Sequence, residues 1–573
     1  MPARQKNSSP AQSEIKQLFA LFKDNRYEEL EIIALELVER HPNSGLAWKM
    51  LGNAQRFLKK EPLPALFRAV ELLPTDIEAL TNLGFGLVIV GRHKEAEAHL
   101  IKAINIKPDD AIAYSVLGVA LQCQLRHEEA IASFERALRY DYQSLELLNN
   151  LSISLTAVDR LDDAVVILRK AIEIDPYDIR AYKTLATALM NLGDLNGAVA
   201  CHRQALEFRP NDALAHANFG ATLHALGRDV EAIQSYEIAL LLDPTYEAAI
   251  YNRGYSYLSL GRLAQGWVDY DYRPSRREVR HPELPFWAGE DLSGKSILIW
   301  GEQGIGDELM FASMYGEVIE RAARCVVECH PKLLPLFART FPRAEVVLKT
   351  TPPHPTTLDT IDYHCAAGSL ARWLRPSLQS FPERESYVMP DPERVQYWHE
   401  RLAEIGPGPK IGFCWRSMKN HGARMLCYTT LDLWGLIFTI PGVHFVNLQY
   451  DKCDEELDAA RRQFGVPLNK FQELDLLNDL DEAAALTRAL DLVISAGTAT
   501  SVMAAALGVP IWLIEHSKGW TMLGTDHMPW FPTQRNFCRR WNQPWSEIIA
   551  EIAQLLESAM SGAVTMEGEK HAE

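Results

Sequence analysis

Residues 491–515, DLVISAGTATSVMAAALGVPIWLIE, bring together residue types that suit anion binding. A β-rich run, Leu492 to Ile494, gives way to a turn of small residues, Ser495, Ala496, Gly497 and Thr498, and then to an Ala-rich helix-forming segment from Thr500 to Leu507. Gly508 and Pro510 stop that helix, and Ile511 to Ile514 supply a second buried strand. At the carboxyl end of a parallel strand, the N–H groups of the first helical turn point at a ligand and the helix dipole favours an anion, so a phosphate group suits the position. Two other readings fit the same uncharged run. One is a strand–helix–strand core unit with no ligand; the other is a membrane span, which Ser495, Gly497, Thr498, Thr500, Ser501, Gly508 and Pro510 interrupt. A second loop, GEQGIGDE (301–308), follows the apolar run Ser296 to Trp300. Its Gly301, Gly304 and Gly306 do not make G-x-G-x-x-G, and a lone glycine loop does not specify a ligand.

A chain of 573 residues is too long for one core and predicts two or three domains. Its 47% hydrophobic and 23% charged residues are those of a soluble globular protein. A net charge of −17 argues against a general phosphate-gripping field, so no nucleic-acid partner is expected. The polar start MPARQKNSSPAQSE has no apolar stretch after it, so no secretory signal is expected. Nine cysteines without paired short spacings predict no disulfide framework, and Cys325 and Cys329 in the run CVVEC read as buried strand residues rather than metal ligands. The expected location is cytoplasmic, with no membrane span.

The first half is repetitive. Gly84, Gly118, Ser152, Ala186, Gly220 and Gly254 stand 34 residues apart, Ala96, Ala130, Ala164, Ala198 and Ala232 keep the same step, and Pro108, Pro176, Pro210 and Pro244 close units. This is the tetratricopeptide pattern, two antiparallel helices per unit with small residues where they touch. About eight units are predicted, the first degenerate (Glu14 to Pro42), forming a superhelix over residues 12–273. Such arrays bind partners. Asn82, Asn150, Asn218 and Asn252 stand two residues before the repeat glycine position on first helices. An amide donates to one peptide carbonyl while accepting from an N–H, so a row of them can hold an extended peptide. Plain polar surface asparagines are the alternative.

Proline and arginine crowd residues 274–294, read as an interdomain linker; a solvated hinge paired with acidic repeats is expected of Arg273, Arg276, Arg277 and Arg280, with a phosphate or sugar role the alternative. From Lys295 the periodicity changes. Strands are predicted at Ser296 to Trp300, Val326 to Glu328 and Val346 to Leu348, with a helix at Leu309 to Arg324. After the GPGP hinge (406–409), strands at Ile411 to Trp415 and Val443 to Leu448 and helices at Leu431 to Phe438, Glu455 to Phe464, Glu482 to Leu490 and Trp545 to Leu556 make a second layer. Two α/β halves joined by a hinge leave a cleft between their carboxyl-terminal strand edges.

Residues 295–559 resemble the GT-B glycosyltransferases, and among them the heptosyltransferase-like group that bacteria fuse to tetratricopeptide repeats. The resemblance rests on GEQGIGDELMFASMY (301–315), KIGFCWRSM (410–418), VHFVNLQYD (443–451), NDLDEAAAL (478–486), DLVISAGTATSVMAAALGVPIW (491–512), Trp520 and MPWFPTQR (528–535). The plan of repeats fused to a catalytic half, and the asparagine row, resemble eukaryotic O-GlcNAc transferase. The resemblance implies an α superhelix followed by α/β with two Rossmann-like lobes, at residues 295–405 and 406–559, and a disordered tail at 560–573. It implies transfer of a sugar from a nucleotide-sugar donor to a Ser/Thr hydroxyl of a protein acceptor, flagellin among the candidates. No Asp-x-Asp arrangement stands on a plausible loop, so no divalent metal is expected, and no cofactor. A degenerate scaffold and a lipopolysaccharide-type sugar transferase are the rivals.

Inverting transfer needs a base, a stabiliser for the leaving phosphate and a nucleotide pocket. Asp307 matches the Gly–Asp position of heptosyltransferases and is the candidate base, with a helix-cap role the alternative and Glu302 and Glu308 as rivals. Gly304 and Gly306 of the same loop are candidate donor contacts. Gly497, Thr498, Thr500 and Ser501 at the helix start, with Arg416 and Ser417 (Lys419 and Arg424 as alternatives) after strand Ile411 to Trp415, are candidates for the phosphates, and Gln449, Tyr450 and Asp451 for base or ribose, with a plain surface turn the alternative. Asp479 and Asp481 read as helix caps. The four asparagines are the candidate acceptor contacts.

Overall fold

The computed structural model describes residues 10–277, 280–351, 360–418, 427–540 and 543–562. Its residues form two compact units, Met1–Arg209 and Pro210–Glu573.

The first unit is a run of antiparallel helix pairs, beginning with Gln12–Lys23 against Tyr27–Arg40 and ending with Ile179–Leu192 against Leu195–Phe208. The repeat glycine is set by packing. A Cβ on Gly84 would stand 2.6 Å from Leu100, and one on Gly118 would stand 2.4 Å from Phe134. The small residue lets a large side chain of the second helix reach the first. Each of several first helices is started by an acid or serine whose side chain accepts from an N–H of the first turn: Asp76, Asp110, Ser144, Asp178 and, in the second unit, Asp212. These caps keep the 34-residue step that the glycines follow.

The second unit opens with two further pairs, Ala213–Ala225 with Asp229–Leu242 and Glu247–Ser259 with Leu263–Tyr270, and continues into two parallel sheets. The first sheet holds β1 (Ser296–Trp300), β2 (Arg324–Cys329), β3 (Glu345–Leu348) and β4 (Tyr363–Ala366) in the order β3-β2-β1-β4. The second holds β5 (Lys410–Cys414), β6 (His444–Asn447), β7 (Leu468–Asn469), β8 (Leu492–Ala496), β9 (Ile511–Glu515) and β10 (Gln534–Cys538) in the order β10-β9-β8-β5-β6-β7. That is the order of a doubly wound sheet, with the chain reversing direction across the sheet between β5 and β8. The strands β1, β5 and β8 are buried along their whole length, which is why they read as continuous apolar runs. The helix expected over Leu309 to Arg324 is two, Ile305–Ala312 and Tyr315–Arg321, and Leu431 to Phe438 is a 3₁₀ turn followed by one helical turn. The closing helix, Trp545–Met560, buries Ile548, Ile549, Ile552 and Leu556 against the second sheet.

The described residues of the connector are not a solvated hinge; the Arg277 side chain lies outside them. Arg273 is fully buried and pairs with Glu302 of the glycine loop and with Asp271, and Arg280 donates to Glu328 at 2.5 Å. Trp287 is buried, and its backbone N–H donates to the His364 carbonyl at 2.8 Å. The segment is an edge of the first sheet's core, tied to it by charge pairs taken out of water. One apolar core runs from Trp267 and Tyr270 of the last helix pair through Trp287 to Phe311, Met503 and Trp530. The Cys325 and Cys329 thiols stand in β2, buried as the sequence predicted, and burial pushes both up to about 12.

Candidate functional site

The carboxyl ends of β1 and β8 each turn into an eight-residue helix, Ile305–Ala312 and Ala499–Ala506. Their starts meet: a Cβ on Gly306 would lie 3.6 Å from the Ala499 Cα, ordinary contact distance. A larger residue at 306 would push the two turns apart.

The turn after β1 is held from outside. Glu302 is 2% exposed. It accepts from Arg273 Nε at 2.8 Å, from Ser275 Oγ at 2.7 Å and from the Gly368 N–H at 3.0 Å. Gln303 takes a left-handed conformation (φ 61°), and its amide donates to the Tyr270 hydroxyl at 2.9 Å. The last helix pair and connector therefore fix both residues that precede Gly304. Gly301 has no room for a side chain, because a Cβ there would stand 2.3 Å from the Glu308 carboxyl carbon. Glu308 is 3% exposed and accepts from the His330 N–H at 2.9 Å; burial pushes its carboxyl up to about 7 against the pull of that hydrogen bond. Asp307 is half-buried and accepts from the Gly304 N–H at 3.1 Å. Its charge reaches Tyr251 and Tyr255 of the last first helix, whose phenols burial raises and Asp307 raises further. Of the loop's three acids, Glu302 and Glu308 are buried and Asp307 is half-buried.

The turn after β8 is held from within. Ser501 Oγ accepts from the Thr498 N–H at 3.1 Å and donates to the Thr498 carbonyl at 2.7 Å. The first-turn N–H groups have no intrahelical acceptor, as at any helix start. Beside them lies a cavity of about 310 Å³ lined by Ala499, Thr500 and Met503 of this helix, Ser417 and Met418 after β5, Leu448 and Tyr450 after β6, Leu477, Leu480 and Ala483, and Ile305 and Lys332 from the first sheet. It sits where the strand order reverses, the place at which doubly wound sheets take ligands.

The structure gathers Ser417, Tyr450 and Thr500 on this cavity, with the Tyr450 hydroxyl 3.3 Å from Ser417 Oγ. Gly304, Gly306, Gly497 and Thr498 stand at the two helix starts. Three expectations need correction. The Arg416 guanidinium is held by Asp451 and Glu456 and does not line the cavity, because two nearby carboxylates fix it. Gln449 is 1% exposed; its amide donates to Asp451 at 2.9 Å and its oxygen accepts from the Arg416 N–H at 3.3 Å, so it braces that pair rather than facing a ligand. Ser501 is buried and serves the turn. Lys419 and Arg424 lie outside the described residues. Asp479 caps its helix by accepting from the Glu482 N–H at 3.0 Å, whereas Asp481 pairs with Arg339 at 2.8 Å. Asn82 and Asn150 in the first unit, and Asn218 and Asn252 in the second, are each half-buried on a first helix. Their side-chain amides make no hydrogen bond to the described residues. Lys332 and the Tyr251–Tyr255 pair were missed; the place of Lys332, just past the end of a predicted strand, was the available signal.

The helical part is built of tetratricopeptide repeats: models of that repeat match residues 75–143, 117–179 and 155–218. The class of protein is thus a repeat array, suited to binding a protein partner, followed by an α/β region. A curated relative, Protein FlbA of Caulobacter vibrioides, is 37% identical over 311 residues, which is 51% of this chain and 52% of that protein. The chain spans about half the length of the curated relative it matches. Among solved structures, YrrB, described as a tetratricopeptide protein with an unusual peptide-binding site, is 25% identical with a TM-score of 0.29 and covers 33% of this chain and 96% of its own. Pseudomonas aeruginosa pilF is 22% identical with a TM-score of 0.29, over 34% of this chain and 86% of its own. No helix among the described residues is long and apolar enough to cross a membrane.

Proposed function

We propose that the chain is an inverting glycosyltransferase of GT-B plan, in which the repeats hold a protein acceptor while the α/β region moves a sugar from a nucleotide-sugar to a Ser or Thr hydroxyl. The observation that carries this reading is the cavity at the strand-order reversal of the second sheet, where the start of helix Ala499–Ala506, Tyr450 and Ser417 meet the first sheet's Ile305. In the proposed reaction the acceptor oxygen attacks the anomeric carbon, its proton passes to the Asp307 carboxylate, and the carbon–phosphate oxygen bond breaks with its electron pair leaving on the phosphate. Thr498, Thr500 and the first-turn N–H groups carry the charge that develops there. No divalent metal enters this scheme. The half-buried Asn82, Asn150, Asn218 and Asn252 would grip the acceptor backbone, and flagellin is the first acceptor to try.

The test is Asp307→Asn in a sugar-transfer assay. Transfer is expected to fall at least about 100-fold with nucleotide binding retained, and wild-type turnover would remove Asp307 from the base role. One observation favours a second reading, a binding protein with an inert α/β region: the arginine after β5 is engaged by Asp451 and Glu456. Titration with UDP-, GDP-, ADP- and CMP-linked sugars separates the two, since a scaffold would bind none of them.

A further inference from the structure

We propose that Lys332, on the first sheet's side of the cavity, is the cation that holds the phosphate of a nucleotide whose base occupies the apolar remainder; this rests on the reading of the cavity as a nucleotide site. Lys332 follows β2 on a short 3₁₀ turn, Pro331–Leu333, and is the one basic residue lining the cavity among the described residues. It makes no ion pair among them. Its ammonium instead donates across to the carbonyl of Leu477 at 2.8 Å. Arg339 pairs with Asp481, Arg273 with Glu302 and Arg416 with Asp451 and Glu456, whereas Lys349, like Lys332, donates to a backbone carbonyl, that of Gly301. Asp475 stands close enough to feel the Lys332 charge, but its Oδ1 accepts from the backbone N–H groups of Leu477 and Asn478, both at 3.0 Å, and its Oδ2 from the Asn478 side-chain amide at 2.8 Å.

The half-buried Lys332 ammonium has one neutral hydrogen-bond partner, the Leu477 carbonyl, and stands beside Ile305, Leu448, Leu480 and Met503. An anion in the cavity would accept from the protons not given to Leu477 and meet the Thr500 helix start from the other side. The Tyr450 ring and the aliphatic lining suit a planar base, and the Ser417 and Tyr450 hydroxyls suit a sugar edge. Because Lys332 follows β2 of the first sheet and Thr500 follows β8 of the second, a bound phosphate would bridge the turns after those strands.

The experiment is calorimetric titration of the full chain with UDP, CMP, ADP and GDP and with the matching nucleosides, for the wild type, Lys332→Gln and Lys332→Arg. Wild type is expected to bind at least one nucleotide, Lys332→Gln to weaken that binding about 10- to 100-fold with its nucleoside affinity unchanged, and Lys332→Arg to keep most of it. Equal nucleotide binding by Lys332→Gln overturns the role of Lys332 while leaving the nucleotide site in place. Loss of nucleotide and nucleoside together, with an unchanged thermal melt, also overturns it, since the lysine would then act through Leu477 on the shape of the cavity. A wild type that binds none of the nucleotides removes the proposed function and this inference with it.

Discussion

The turns after β1 and β8 are the same device, each closed by a hydrogen bond from its first N–H to the side chain three residues on (Gly304 to Asp307, Thr498 to Ser501), and they differ in what else supports them. Each follows a buried parallel strand, opens an eight-residue helix and contributes to one meeting point at Gly306 and Ala499. The first owes its shape to distant residues, Tyr270 and Arg273 of the last repeat and connector, which hold Gln303 and Glu302. The second closes on itself through Ser501 and leaves its helix start beside the cavity. The difference teaches that the last repeat is structural material of the α/β region, while the second turn opens its helix beside the cavity.

Breaking the outside support should have the largest effect. Arg273→Met leaves the Glu302 carboxylate buried without its ion pair and is expected to cost about 3–5 kcal/mol in urea unfolding, with Arg273→Met/Glu302→Gln recovering part of the loss. A loss as small as that of a surface substitution would show that the turn holds itself.

Next comes pH. The Glu308 carboxyl is raised by burial from 4.5 to about 7, so the folded state keeps a proton that the unfolded state has given up. Stability from this group therefore falls as pH rises from about 4.5 to about 7 and is level above, by at most about 3 kcal/mol. Glu308→Gln, which can still accept from the His330 N–H, is expected to lose that slope in unfolding measured between pH 5 and 8. A slope unchanged in the variant would refute the assignment.

The glycines sharpen the contrast. Gly301→Ala drives a Cβ to 2.3 Å from the Glu308 carboxyl carbon, and about 1–3 kcal/mol of destabilisation is expected. Gly497→Ala meets its nearest atom, a Glu515 carboxylate oxygen, at 3.7 Å, and a change within about 0.5 kcal/mol is expected. Thermal melts of the two variants read the difference directly. The smallest clear effect is Ser501→Ala, expected to cost about 1 kcal/mol by opening the second turn, and to leave the first turn's hydrogen bonds untouched.

Legibility in the sequence followed physical constraint. The repeats announced themselves because the small residue where the helices touch, the alanines and the closing prolines keep one 34-residue step. The central strands β1, β5 and β8 were legible because burial on both faces leaves little choice of residue. The strands that were missed, β4, β7 and β10, are all at sheet edges, where mixed runs such as YHCA and QRNFC are tolerated. At the site, Ser417, Tyr450 and Thr500 could be placed from their positions just past strand ends. Arg416 could not, because the acids that hold it, Asp451 and Glu456, come from a different turn and helix. Nor could the buried pairing of Arg273 with Glu302, where a proline- and arginine-rich run looked like a hinge and proved to be part of a core.

The most direct test of the account is a crystal structure of the full chain soaked with a nucleotide-sugar that binds in titration. The account predicts the nucleotide in the cavity, with its phosphates between Lys332 and the first turn of helix Ala499–Ala506 and its sugar toward Asp307. A nucleotide bound elsewhere, with the cavity unoccupied, would contradict it.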